Sequence, residues 1–169
     1  KLNVQLLRGS DFFGPRVSNS SLGDVLFKAA LAGKTINVLG NPDLVHSTTY
    51  IVDFAWAMIL AGENPQIKQS VFHVPNSENI TMRKFVELVG REVGRPLKLR
   101  ASGSSMVGFI GLFNPMIKEI KEMMYQWVEP FVVDHSLFSK TFDYSATGHN
   151  ESIRDTVSWF REQSNRPAS

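Results

Sequence analysis

The chain contains no cysteine, which excludes disulfide staples, thiolate nucleophiles and zinc–thiolate sites. It has no apolar run of roughly eighteen residues and no signal-peptide pattern, so no membrane association is expected and the expected location is the cytoplasm. Eighteen basic and sixteen acidic side chains leave a net charge of +2, and no basic stripe or run goes with it. Nucleic acid is therefore not an expected partner. The glycine fingerprints that cradle a pyrophosphate, G-x-G-x-x-G and G-x-x-G-x-x-G, do not occur. The nearest set, Gly103, Gly108 and Gly111, has the wrong spacing and no βα turn before it. His46, His73, His135 and His149 are too irregularly spaced for a metal motif, and no metal is assigned.

What is there suits one soluble domain. A length of 169 residues with 43% hydrophobic and 20% charged content is enough to bury a real core. Leu2 to Leu7 is an apolar run with little alternation, the pattern of a parallel strand buried on both faces. It leads into Arg8-Gly9-Ser10-Asp11-Phe12-Phe13-Gly14-Pro15. A helix capped by Ser21 and ended by Gly33 follows, with Leu22, Val25, Leu26, Ala29 and Ala30 as its stripe. Thr35–Leu39 and Thr48–Val52 read as β segments around an Asn41-Pro42-Asp43 turn, and Asp53 as the cap of a helix stopped near Gly62. Val71–Val74 is a strand. Thr81 caps a helix whose apolar face is Met82, Phe85, Val86, Val89 and Val93, broken by Gly94 and Pro96. Leu97–Ala101 is a strand. Met116 to Trp127 carries a methionine-rich helical face, which fits a plain core or a ligand-facing surface. Phe131–Asp134 reads as a strand, Ser136–Phe142 as a helix that Asp134 could cap, and a last helix begins after Asn150 with Ile153, Val157 and Phe160 inward. Residues 1–163 form one region and 164–169 a frayed tail.

Two segments carry a resemblance. RGSDFFGP, with Gly40-Asn41-Pro42-Asp43-Leu44-Val45-His46-Ser47-Thr48-Thr49-Tyr50-Ile51-Val52-Asp53-Phe54-Ala55 downstream, resembles the second half of the extended short-chain dehydrogenase/reductases, the NAD-dependent epimerase/dehydratase family. The family pattern at the second segment is roughly G-x-G-x-x-x-R-D-x-x-Y-V-x-D-x-A, and the fit runs from Arg8 to about Phe160. The resemblance implies an α/β fold class: the C-terminal portion of a Rossmann-type fold, its last parallel strands plus a small mixed α/β substrate lobe, without the N-terminal cofactor-binding half. The family's Tyr-x-x-x-Lys pair is missing, since Phe54, Glu129 and Gly148 stand four residues after Tyr50, Tyr125 and Tyr144. No catalytic residue is assigned.

By resemblance, the intact parent uses NAD or NADP, this chain alone binds neither, and its partner is a small-molecule substrate. Gly9 and Ser10 would line the cofactor and Asp11 the substrate, because ligands of such sheets bind beyond the carboxyl ends of the strands. Asp11 could equally bond the Gly14 turn as an Asx cap. His46 stands where nucleotide-sugar enzymes of this family carry an arginine able to grip a diphosphate, and Ser47 replaces the family's aspartate. An imidazole is a poor diphosphate clamp, so the alternatives at His46 are a substrate contact or a surface histidine before a strand. Asp53 is read as structural. Arg100, Trp127 and Phe131 are further substrate-contact candidates. A strand edge at Leu2 to Leu7 left open predicts a homodimer. The expected function is the substrate-binding part of an NAD(P)-dependent epimerase, dehydratase or reductase acting at a carbinol or carbonyl centre. The rivals are a non-catalytic ligand or redox sensor of the same fold and a stand-alone interaction domain.

Overall fold

The computed structural model describes residues 4–18, 20–67, 71–102 and 125–165. Short strands pair in twos. β1 (Leu6–Arg8) runs parallel to β6 (Val71–His73), with Leu6 opposite Val71, and the Val74 N–H extends the ladder to the Arg8 carbonyl at 2.8 Å. β2 (Asp11–Phe13) is parallel to β5 (Thr48–Tyr50), and β3 (Ile36–Leu39) to β8 (Leu99–Ser102). β4 (Val45–His46) pairs antiparallel with β7 (Ile80–Thr81) and on its other side makes one parallel bridge, His46 to Phe131. The helices are α1 (Asp24–Leu31), α2 (Ile51–Glu63), α3 (Met82–Val93), α4 (Tyr125–Val128), α5 (Ser136–Phe142) and α6 (His149–Asn165).

The main core lies between α1, α3, α6 and the strands. α3 buries Met82, Phe85, Val86, Val89 and Val93, the face its periodicity predicts. Its ends are set by local chemistry: the Thr81 hydroxyl accepts from the Lys84 N–H at 3.1 Å, and Gly94 closes the helix in the left-handed conformation at φ 80°. A series of rings threads the core from Tyr50 through Phe13, Phe85 and Phe27 to Phe160, with centroids 5.5, 5.1, 6.5 and 5.5 Å apart. A second cluster packs Ala57, Phe72, Val74 and Phe138 against Phe142 and Tyr144. Phe72, Val74 and Phe138, fully taken from water there, contribute about 1.5–3 kcal/mol each.

Several expectations shift. β1 begins at Leu6, and Val4 and Leu6 are half exposed, so this strand is not buried on both faces among the described residues. α1 starts at Asp24 with Gly23 at its cap and no side-chain cap; Ser20, not Ser21, accepts from the Leu22 N–H and donates to the Phe12 carbonyl. The later start rotates the buried face to Leu26, Phe27 and Ala30 and leaves Val25 63% exposed. Phe131–Asp134 is not a strand: Phe131 makes its one bridge, and the Val133 N–H turns to the Ser47 hydroxyl at 2.9 Å. α6 includes Ser164 and Asn165, while most of the methionine-rich face, from Met116 to Met124, lies outside the described residues. α2 is apolar on most of its surface, and Val52, Trp56, Met58 and Ile59 are exposed along it. No helix among the described residues is long and apolar enough to cross a membrane.

Asp53 is structural, though not as a cap. It is the third residue of α2, 1% exposed, and its carboxylate accepts from the Tyr144 hydroxyl (2.8 Å), the Thr147 hydroxyl (2.7 Å) and the Thr147 N–H (3.0 Å). The carboxylate ties the start of α2 to the loop before α6. It also holds Tyr144 neutral: burial, then the bond and the charge of Asp53, raise the Tyr144 pKa. Tyr50 is pushed up to about 12 by burial and by the nearby Asp155, Asp53 and Glu151 charges. A raised folded-state pKa stabilises fully below the free value of 10.0 and is lost as pH climbs through the folded value. Urea unfolding should therefore show stability falling from pH 10 towards pH 12, and falling less steeply in Tyr144→Phe. Equal slopes for the two proteins would contradict the assignment.

Candidate active-site cleft

The site is built where β1 ends and β2 begins, at the carboxyl end of a parallel pair. Arg8 closes β1, Gly9 and Ser10 cross over, and Asp11 opens β2. A Cβ on Gly9 would come within 2.6 Å of the Phe12 ring and 3.3 Å of Phe54. An internal aromatic contact thus accounts for that glycine. Ser10 is buried, and its side chain turns inward. Its N–H donates to Thr49 Oγ1 at 2.8 Å, the two hydroxyls lie 2.8 Å apart, and Thr49 donates onward to Asn76 Oδ1 at 2.8 Å. Asn76 is 6% exposed, and its Nδ2 has no partner among the described residues. With the amide reversed, Oδ1 would be the orphan.

Asp11 is not an Asx cap for the Gly14 turn, and His46 is not a surface histidine. Asp11 Oδ2 lies 2.9 Å from His46 Nε2, with the imidazole 6% exposed and the Asp11 side chain 29% exposed. A ring nitrogen facing a carboxylate acts as the donor, so Nε2 carries the proton. The ring is held from behind by Phe131, whose centroid is 5.1 Å away at a 33° tilt. Ser47 locks the same strand, donating to Asn79 Oδ1 at 2.7 Å and accepting from the Val133 N–H, while its own N–H donates to the Phe131 carbonyl at 2.8 Å.

A cleft of about 580 Å³ opens beside this pair, lined by Ser10, Asp11, Phe12, Arg16, Ile51 and Trp127 among others, a size suited to a small ligand. Trp127 reaches it because Gly40, at φ 66°, has no side chain: a Cβ there would run into the Trp127 backbone. The Asn41 N–H then bonds the Trp127 carbonyl at 2.8 Å. Of the expected site residues, Ser10, Asp11 and Trp127 meet in this lining, and His46 and Phe131 stand behind Asp11. Arg100 does not join them, being on β8 opposite Asn37. Asp134 sits one residue before the α5 cap position and accepts from the Ser136 N–H at 2.9 Å; that backbone bond is the main reason its pKa is lowered.

Three contributors escape sequence reasoning. Thr49 is uncharged and falls at an unspecified position of the Gly40–Ala55 pattern, and Asn76 sits in no motif. Arg16 lines the cleft with its backbone left-handed at φ 66°, a conformation unusual for a residue with a Cβ. The Gly14-Pro15 turn before it is its only sequence signal. Among the described residues, no group of three or more histidines, cysteines or carboxylates could hold a metal ion.

No protein-family model matches this sequence, and no curated protein matches it. Solved structures do match by fold. A UDP-glucuronic acid 4-epimerase from Bacillus cereus, in complex with UDP-glucuronic acid and NAD, superposes with a TM-score of 0.70 at 16% identity over 96% of this chain and 46% of its own. The UDP-glucose 4-epimerase of Thermotoga maritima, with UDP-glucose, gives 0.69 at 17% identity over 95% and 47%. The UDP-N-acetylglucosamine 4-epimerase of Methanobrevibacter ruminantium, in complex with UDP-N-acetylmuramic acid, gives 0.69 at 20% identity over 93% and 46%. The chain shares the α/β fold of part of these epimerase structures. It spans just under half the length of these structures.

The hydroxyl network behind the cleft makes a sharp prediction. Thr49→Val removes the acceptor for the buried Ser10 N–H and the donor to Asn76, and should cost about 2–3 kcal/mol in chemical denaturation. Thr49→Ser keeps the hydroxyl and should stay within about 1 kcal/mol of the parent. Equal losses would mean that the methyl group matters and the network does not.

Proposed function

We propose that this chain is the substrate-binding part of an NAD(P)-dependent epimerase, dehydratase or reductase acting at a carbinol or carbonyl carbon. The observation that carries the reading is the cleft at the carboxyl end of β1, where Asp11 and Trp127 meet. Open α/β folds place their ligands at this point. The cofactor, when bound, supplies hydride transfer. Substrate recognition falls to the chain's own residues. Asp11 accepts a hydrogen bond from the substrate and Trp127 and Phe12 cover its apolar side, while Gly9, outside that lining, presents exposed backbone at the strand end on the side assigned to the cofactor.

None of the three tyrosines lines this cleft among the described residues, Tyr125 being an exposed residue of α4. Tyr50 is buried with its pKa raised, and Tyr144 is spent on Asp53. We therefore assign proton transfer to groups outside the described residues, and the pyrophosphate grip to a glycine fingerprint that this sequence does not contain.

Titrating NAD and NADP into the 169-residue chain by calorimetry should give no micromolar complex, which would be worth about −8 kcal/mol. Ligand-observed NMR of small hydroxy and carbonyl compounds should give binders that Trp127→Ala and Asp11→Ala abolish. Tight dinucleotide binding, or binders indifferent to both variants, would refute this division of labour.

We also propose that the chain self-associates through β1, which pairs on one side only among the described residues and exposes Val4 and Leu6. An open edge with apolar side chains invites another strand. Sedimentation equilibrium should show a dimer that Val4→Lys weakens; a monomer at tens of micromolar would contradict this.

A further inference from the structure

We infer that the Asp11–His46 pair is a charge gate, which fits the cleft to neutral, hydroxyl-bearing ligands and rejects diphosphates. The inference rests on the reading of this cleft as the substrate site and deepens it.

The division of the pair is unequal. The imidazole is the buried member and the carboxylate the one presented, at 6% and 29% side-chain exposure. His46 cannot swing away: its strand is paired with Ile80 on one side and bridged to Phe131 on the other, and Phe131 packs against its ring. With Nε2–H directed at Oδ2, His46 holds Asp11 in one rotamer and uses one of its two oxygens. The other has no hydrogen-bond partner among the described residues. A carboxylate oxygen can only accept, so the group that fits it is a ligand donor.

The rest of the lining agrees. Among the described residues its charged members are Asp11 and Arg16, which cancel. Of its four serines, Ser10 and Ser20 have hydroxyls already engaged, with Thr49 and with the Phe12 carbonyl, and Ser18 and Ser21 add neutral hydroxyls that carry no charge to offset a phosphate. Phosphate recognition needs converging donors and positive charge, and here a fixed anion stands on the wall with a single guanidinium to offset it. Trp127, Phe12 and Ile51 offer apolar contact. A ring-bearing alcohol or polyol satisfies both the acceptor and the apolar wall, and a diphosphate satisfies neither.

The test uses the 169-residue chain, with the Trp127 indole N–H as reporter in nitrogen–proton correlation spectra, assigned with Trp127→Phe. The probes are cis-1,2-cyclohexanediol and UDP. The diol should shift the Trp127 signal in the parent chain, and UDP should leave it unmoved up to about 10 mM, the range of the weakest contacts. In Asp11→Asn/His46→Arg, which removes the anion and installs a forked cation, UDP should bind at least about tenfold more tightly and the diol response should weaken. His46→Gln, which keeps a donor near Nε2, should behave like the parent, whereas His46→Ala should lose the diol response. UDP binding by the parent as tight as by the double variant, or a folded double variant with no gain, would overturn the gate and leave the cleft standing. Silence of Trp127 towards both probes in every protein would bring down the cleft assignment together with the gate.

Discussion

The constraint on which the structure turns is the burial of a polar strand. From His46 to Thr49 each residue is polar and at most 5% exposed, and Asp53 follows at 1%. A polar group taken out of water without a partner costs a few kcal/mol, more if charged. This segment therefore folds only where other parts of the chain bring partners to it. Asp11 comes to His46, Asn79 and the Val133 N–H to Ser47, Ser10 and Asn76 to Thr49, and Tyr144 and Thr147 to Asp53. Those partners come from the N-terminal motif, from the loop before α3 and from two separate stretches near the C-terminus. Satisfying one strand thus fixes four distant loops, and the cleft is the space they leave.

The hydrophobic clusters do the complementary work. They set the positions of the helices, and the ring series from Tyr50 to Phe160 joins the strand layer to α6. They do not choose which loop faces which, because dispersion and burial are non-directional. The hydrogen bonds of the polar strand make that choice, since a donor pairs only with an acceptor and only within a narrow range of distance and angle. The site owes its geometry to this division: apolar packing gives stability, and buried polar pairing gives register.

Legibility in the sequence follows the same line. α3 can be read in full, cap, apolar face and glycine stop, because each is a local property of consecutive residues. β3, β5, β6, β8 and α5 are likewise close to their expected places. α1 departs from expectation at its start, since Ser20 and Ser21 compete for the capping role and the choice is made by the distant Phe12 carbonyl. Phe131–Val133 departs because its N–H groups find Val45 and Ser47 and no full strand partner. Asp53 is structural, as its place in the sequence suggests, but by another mechanism: its partners lie more than ninety residues away.

The sequence by itself determined most of the helices and several strands, because turn glycines and apolar periodicities act over a few residues, and the resemblance carried by the RGSDFFGP and Gly40–Ala55 motifs implied the fold class. It also held Asp11 and His46 as separate candidates. Only the tertiary structure decided that they are one pair, that Trp127 joins the cleft while Arg100 does not, and that Ser10 faces inward to Thr49. The reason is physical. Periodicity and capping energies depend on neighbours along the chain, whereas the partner of a buried polar group is whichever complementary atom the whole fold brings within about 3 Å.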